Sequence, residues 1–294
     1  MANRRVIIKR RKAVRNIRKI TRTMQLIATA RFQATYNRAV ATKPYSEKLG
    51  EMVASLAGLG ADIDHPLMTE QVDAERSALL VITSNRGLCG GFNSNVLRGA
   101  VRHIDTLAGE GIESDVSMVG KKGVNYFKFL GRAMVDRITD LSHTPTFEQI
   151  EPLAGNMMDR FKKGEVSSVH VAYMRFISTG QQKPAVVQLL PFADESSDSA
   201  RDAEEPGGAD FEFSPEPKEL LDELLPAAVR VRLFQCFTEA AVSEQVARMV
   251  AMKAATDAAN DMIKTLTRQY NRARQTQITM ELLDIVGGAN ALAD

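Results

Sequence analysis

Near the N-terminus apolar side chains recur as Ala13, Ile17, Ile20, Met24 and Ile27, a 4-3-4-3 spacing that Ala34 continues after Arg31 interrupts it. That spacing is the seam of a coiled coil. Helix formers persist to Pro44, which a kink can accommodate, because apolar positions resume at Leu49, Met52, Val53 and Leu56 before Gly58 and Gly60. The pattern predicts a helix of about 50 residues, roughly 75 Å long at 1.5 Å per residue. The far end has the same texture: Val242, Gln245, Met249, Met252, Thr256, Ala259, Ile263, Leu266, Tyr270 and Ala273 alternate steps of three and four. Neither Gly nor Pro occurs from Ala227 to Val286. Pro226 is expected in the first turn of this helix, where its missing N–H is no loss, and Gly287-Gly288 are expected to end it. At about 60 residues it would run roughly 90 Å. Helices in compact domains average about 11–12 residues, so two such seams in one chain predict an antiparallel pair.

Between them the period changes. Ala78 to Thr83 is a short, nearly continuous apolar run of the kind that forms a buried parallel strand. Residues 115–119, 166–176 and 186–190 read as further strands, and 94–107 and 146–163 as helices. Strands alternating with helices imply an α/β layer with a largely parallel sheet. The expected architecture is therefore α/β plus coiled coil: an antiparallel two-helix coiled coil from the N- and C-terminal helices, with a middle Rossmann-like α/β domain. Its divisions are an N-terminal coiled-coil helix over 1–60, the α/β domain over 74–192, a connector over 193–218 and C-terminal helices over 219–294, with the long helix at 226–290.

Charge changes the picture more than composition does. The 294 residues carry a formal charge of only +2, yet residues 1–43 hold 13 Lys and Arg and no acid, so the remainder sums to −11. Such asymmetry points to an acidic or polyanionic partner for the basic arm. Much of the compensating charge sits in 193–219, where ten acids accompany Pro206, Gly207, Gly208, Pro215 and Pro217. That segment has too little apolar surface to offset the entropy of ordering. Hydrophobic content of 44% with 25% charged residues is that of a folded chain. No run approaches 18 apolar residues, so no membrane-spanning helix is expected. Two cysteines in so long a chain fit a reducing compartment. The basic stretch already carries a helical stripe and Arg4-Arg5 precedes no apolar h-region, so neither a presequence nor a twin-arginine signal is expected.

Candidate chemistry is sparse. Thr83 to Asn93, with Gly87, Gly90 and Gly91, is a glycine-rich turn between a strand and a helix, where nucleotide phosphates sit in doubly wound folds. Its glycines match neither G-x-G-x-x-G nor G-x-x-x-x-G-K-[ST], which leaves a tight structural turn or a protein contact beside the phosphate reading. Gly120-Lys121-Lys122-Gly123 reads as a solvated turn. The four histidines are scattered and Cys89 has no base nearby in sequence, so neither a metal site nor a nucleophile is expected. The basic helix lacks interleaved aromatics, which leaves a solvated face, an acidic protein partner, or nucleic acid.

Several segments together resemble a known family. Ile17–Met24, Arg86-Gly87-Leu88-Cys89-Gly90-Gly91-Phe92-Asn93, Ser243–Asp257, Tyr270–Gln275, Ile278–Leu282 and Ile285–Ala289 are similar to the gamma subunits of F-type ATP synthases. The resemblance covers both ends and the start of the middle domain, and is loose from about Gly131 to Lys218.

It implies a non-catalytic rotor shaft. The coiled coil would turn inside a ring of three alpha and three beta subunits, coupling proton flow through the c ring to the catalytic cycle on beta. ATP, ADP and Mg would bind alpha and beta, and this chain no cofactor. Implied partners are alpha and beta in a 3:3:1 complex, the epsilon subunit and the c ring, without nucleic acid. The implied location is the cytoplasmic face of a bacterial inner membrane. By position, Lys19, Arg22, Met24, Arg86, Gly87, Arg248, Gln275, Thr279 and Glu281 match segments that meet the beta ring. Ile285, Val286, Ala289 and Leu292 match its apolar bearing. Phe211, Phe213 and Ser214 match the foot on epsilon and the c ring, with Ser214 where the family often has Glu. The readings left beside this one are a nucleotide-binding α/β enzyme with helical extensions and a basic coiled coil that binds nucleic acid.

Overall fold

A computed structural model describes residues 4–58, 65–69, 71, 74–192 and 217–291. Residues 193–216 of the acidic connector, including the foot residues Phe211, Phe213 and Ser214, and Leu292 lie outside the described residues, while 217–218 belong to the last helix rather than to the connector. The chain forms two compact units, Met1–Ala30 with Arg248–Asp294, and Arg31–Ala247. Its elements are α1 (Arg4–Gly58), β1 (Arg76–Ile82), α2 (Phe92–Gly109), β2 (Glu113–Val119), α3 (Lys121–Phe129), β3 (Asp136–Ile138), α4 (Phe147–Lys162), β4 (Ser168–Ser178), β5 (Gln181–Leu190) and α5 (Pro217–Ala291).

In the helical unit the first part of α1 pairs antiparallel with the last part of α5. The polar contacts fix the direction: Arg4 Nη1 donates to Gln277 Oε1 at 3.3 Å, Arg18 Nη1 to Asn260 Oδ1 at 3.3 Å, and Thr256 Oγ1 to Thr21 Oγ1 at 2.8 Å. On α5 the heptad seen in the sequence is the one that packs: Met252, Thr256, Ala259 and Leu266 are buried, with Ile263, Tyr270 and Ala273 partly so. On α1 it is not. The buried positions are Ile7, Val14, Thr21 and Ala28, with Arg11, Arg18 and Gln25 half-buried between them. This seam is offset by one residue, or about 100° of helix rotation, from Ala13, Ile17, Ile20, Met24 and Ile27. Ile17, Ile20 and Ile27 are instead 52%, 60% and 48% exposed.

The reason is steric and polar. Thr21 and Ala28 are small enough to let the helices approach, and the Arg stems lie along the interface while their heads find partners. Arg11 and Arg4 place their guanidinium carbons 4.8 and 5.8 Å from the Tyr270 ring centroid, within cation–π range.

The second unit holds a five-stranded sheet in the order β3-β2-β1-β4-β5. β1 runs parallel to β2 and β4, and β2 parallel to β3, while β4 and β5 form an antiparallel hairpin at one edge. Alternation along β1 sends its side chains to two cores. Ala78, Leu80 and Ile82 join α4, the second part of α1 (Leu49, Val53, Leu56) and the start of α5 (Leu221, Leu225, Val229, Leu233). Leu79 and Val81 join Phe92, Val96 and Leu97 of α2 and Val124 and Phe127 of α3.

Three expectations need correction. Gly120 to Gly123 is no free turn but the cap and first turn of α3, which the short span between strands concealed. Helix α5 begins at Pro217, so Pro226 lies inside it rather than in its first turn. Pro226 forgoes one helical N–H there, and Leu221, Leu225 and Val229 anchor the surrounding turns in the core. At the other end Gly287 and Gly288 are helical and do not end α5, which continues to Ala291.

Candidate functional site

The glycine-rich turn has the texture of a ligand loop, and its polar side chains bond within it or to neighbouring segments. Ser84 N–H donates to Asn93 Oδ1 at 2.9 Å, Asn93 Nδ2 to Ser84 Oγ at 2.8 Å, and Ser84 Oγ to the Arg86 carbonyl at 2.6 Å. Leu88 and Gly90 take positive φ values of 64° and 56° to make the bend. The next strand-to-helix turn is locked to this one. Thr83 Oγ1 donates to the Val119 carbonyl at 2.6 Å and accepts the Gly123 N–H at 3.0 Å, and Lys121 N–H donates to Asn85 Oδ1 at 3.0 Å. Gly120, at φ 91°, runs so close to the Thr83 carbonyl that a Cβ would overlap it.

In doubly wound sheets ligands bind beyond the carboxyl ends of the strands. Here Phe237, Ala240, Ala241 and Glu244 of α5 line that crevice beside Ile82 and Thr83, leaving a cavity of about 40 Å³. Ligand pockets usually hold about 300–1,000 Å³. Cys89 is buried, with its Sγ 3.2 Å from Asn93 Nδ2. Burial pushes the Cys236 thiol up to about 12, with Glu239 adding to the rise, so neither thiol has the setting of a nucleophile.

His103 and His170 pack with ring centroids 4.5 Å apart. Burial, and secondarily its neighbour His103, lowers the His170 imidazole to about 4. Burial also lowers His103, against a smaller opposite pull from Glu110. Among the described residues no cluster of three metal-ligating side chains forms.

The other sequence-derived positions are divided among helix surfaces, a turn and a buried site. Lys19 and Arg22 are exposed, three residues apart on one face of α1, and Arg22 Nη1 donates to Gln25 Oε1 at 3.1 Å. Met24 is half-buried and lies about 140° around the helix from Lys19, so these three do not form one patch. Arg86 and Gly87 sit in the glycine-rich turn of the second unit. Arg248 is buried, only 7% exposed.

Beyond Ala273 every described side chain of α5 is exposed through Ala289. Gln275 and Thr279 share a face, with Thr279 Oγ1 donating to the Gln275 carbonyl at 3.0 Å. Glu281 lies nearly opposite and accepts from Gln277 Nε2 at 2.8 Å. Ile285, Val286 and Ala289 form one exposed apolar ridge at helical spacing.

The outward stripe of Ile17, Ile20 and Ile27 has the same 4-3 spacing as an intrachain seam, so periodicity alone does not mark it as a surface.

The sequence pattern of a family described as ATP synthase matches residues 3–292. A protein of Rhodopirellula baltica called ATP synthase gamma chain is 44% identical over 294 residues, covering 99% of each chain. The chain belongs to the ATP synthase gamma chain family. Similarly named proteins of Frankia casuarinae and Leptospira biflexa are 42% and 40% identical, covering 97% and 100% of this chain and 96% and 100% of their own. The gamma-chain likeness thus runs through residues 131–218, where the motifs alone were loose.

The fold is shared with solved chains at lower identity. A chain of the Euglena gracilis mitochondrial ATP synthase, from a structure of its OSCP, F1 and c ring, matches with a TM-score of 0.68 at 20% identity, covering 98% of this chain and 94% of that one. A chain from the central stalk and c ring of the Tetrahymena thermophila enzyme gives 0.58 at 19% identity, over 80% and 99%. No helix among the described residues is long and apolar enough to cross a membrane.

Proposed function

We propose that the chain is the central rotor shaft of an F-type ATP synthase. It turns with the c ring and drives the catalytic beta subunits through their states, performing no chemistry itself. The observation that carries this reading, beside family membership, is the unused apolar surface of the coiled coil. The intrachain seam consumes the small and polar stripe of α1 and leaves Ile17, Ile20 and Ile27 facing outward, while α5 beyond Ala273 is exposed on all sides. Apolar stripes of that extent on a helical pair call for a surrounding protein. The surface is also asymmetric, basic on the α1 side with no acid before Glu47. A rotor needs that asymmetry, because a partner's equilibrium shifts only through interactions that differ between its states.

In this reading Lys19, Arg22 and Met24, then Gln275, Thr279 and Glu281, meet the beta subunits from different sides of the shaft. Arg248 acts from beneath that surface, and Arg86 and Gly87 offer a separate contact. Ile285, Val286, Ala289 and Leu292 turn in the apolar sleeve of the ring. Phe211, Phe213 and Ser214 make the foot for epsilon and the c ring. The chain is part of a complex peripheral to a membrane, and we place it on the cytoplasmic face of a bacterial inner membrane. We infer that it binds no nucleotide: the crevice at the carboxyl end of β1 is filled by α5, which supports ATP, ADP and Mg being held by alpha and beta.

Co-expression with candidate alpha and beta subunits tests the reading. The expected outcome is a 3:3:1 complex with ATPase activity. A chain that purifies apart from alpha and beta, or that binds nucleotide saturably alone, refutes it.

A further inference from the structure

A cavity of about 560 Å³ lies at the opposite end of the sheet from the filled crevice. It is an open groove beside the first half of β2, and the sheet itself leaves it open. β2 spans Glu113–Val119, but β3 pairs only with Ser117, Met118 and Val119. One further bond, from Val135 N–H to the Val116 carbonyl at 2.8 Å, closes the ladder there. Peptide groups along a strand point alternately to its two sides. Glu113 N–H bonds Glu75 on the β1 side, and Val116 bonds Val135 on the other. The N–H and C=O of Ser114 therefore point away from β1, into the groove. Ser114 Oγ is buried and has no hydrogen-bond partner among the described residues.

A buried hydroxyl without a partner is costly, and a peptide pair aimed into an open groove is free to take a partner in place of water. The remaining walls are apolar: Ile104 and Ala108 of α2, Ile112, Val116, Met134 and Val135. The charges at the mouth cancel locally. Arg76 bridges Glu113 at 2.9 Å and Asp115 at 3.3 Å, and Asp115 also pairs with Arg160. The groove thus offers one outward peptide pair, an apolar floor and no net charge to a guest.

We propose that this groove receives an extended, uncharged segment of a partner polypeptide, which adds to the sheet as an outer neighbour of β2. Its backbone exchanges hydrogen bonds with Ser114, and an apolar side chain fills the floor between α2 and Met134. A strand answers all three features together, since it brings donor and acceptor at peptide spacing with a side chain on the floor side. An anionic or cationic guest finds no counter-charge there.

The inference rests on the reading that the chain works inside a multisubunit complex, and the two fail separately. Amide hydrogen exchange is measured on the isolated chain and on the complete complex purified from membranes. The Ser114 amide is expected to exchange freely in the isolated chain and roughly tenfold or more slowly in the complex, as one or two added hydrogen bonds would produce. The Leu79, Leu80 and Val81 amides stay protected in both. An equal Ser114 rate in the two samples overturns the groove proposal and leaves the rotor reading intact. Failure of the chain to enter the complex overturns the rotor reading instead. In a complex carrying Ala108→Phe, an exposed position whose larger side chain fills the floor, the slowing at Ser114 should disappear. If it persists in that variant, the guest does not occupy the groove and the proposal falls.

Discussion

Single side chains hold this molecule in ways that a list of residue types does not show. Gly120 has φ 91° and abuts the Thr83 carbonyl, so Gly120→Ala combines a left-handed backbone with a steric overlap. It should lower stability by about 2 kcal/mol or more, since each such backbone conformation costs on the order of 1–3 kcal/mol for a residue other than glycine. Urea unfolding of the isolated variant measures it.

The His103–His170 pair gives a second expectation. Both imidazoles have folded pKa values below their unfolded values, His170 near 4. The unfolded chain therefore binds more protons as pH falls through 6.5 towards 4, and stability is lost across that window. For His170 the loss reaches about 3 kcal/mol by pH 4, at 1.36 kcal/mol per pKa unit. His170→Gln should flatten the stability profile between pH 6.5 and 4 while leaving the carboxylate contribution in place. A variant whose profile parallels the parent's excludes His170 as the source.

At the scale of elements, α1 carries two adjacent stripes with opposite uses. The buried one, Ile7, Val14, Thr21 and Ala28, is small or polar at half its positions; the exposed one is rich in isoleucine. Ala28→Leu should overpack the seam and destabilise the isolated chain by about 1–3 kcal/mol. Ile20→Gln should change that stability by no more than about 0.5 kcal/mol. The order should reverse when incorporation into an alpha–beta complex is measured, with Ile20→Gln the more damaging. Equal effects in both assays would mean that the two stripes do not divide the work in this way. The apolar heptad of α5 was legible in the sequence because its partner is small and lies in the same chain. That of α1 was misassigned by one residue because periodicity reports which positions avoid water and not which surface covers them.

At the scale of the molecule the formal +2 is a cancellation between a basic arm and an acid-rich remainder. In the proposed reading Met24, just after the basic Lys19 and Arg22 in sequence, meets the beta subunits. Met24→Lys should therefore impair coupling more than assembly. Membrane vesicles carrying the variant should retain most of their ATP hydrolysis while pumping fewer protons per ATP. Unchanged pumping per ATP would rule out a coupling role for this position.

The long helices and the strand–helix alternation were determined by local sequence, through periodicity, turn residues and spacing. Family membership was also legible, because its motifs sit in the helical ends where register is strict. Other features depended on tertiary structure. The glycine-rich turn has the local form of a phosphate loop, and only the hydrogen bonds among Thr83, Ser84, Asn85, Asn93 and α3, with α5 packed into the crevice, make it a closed structural turn. The extension of α5 back to Pro217, through Pro226, depended on core contacts at Leu221, Leu225 and Val229 that outweigh one missing N–H. The outward face of α1 and the open edge at Ser114 likewise exist only once neighbours are placed, because exposure is a property of what a residue fails to meet.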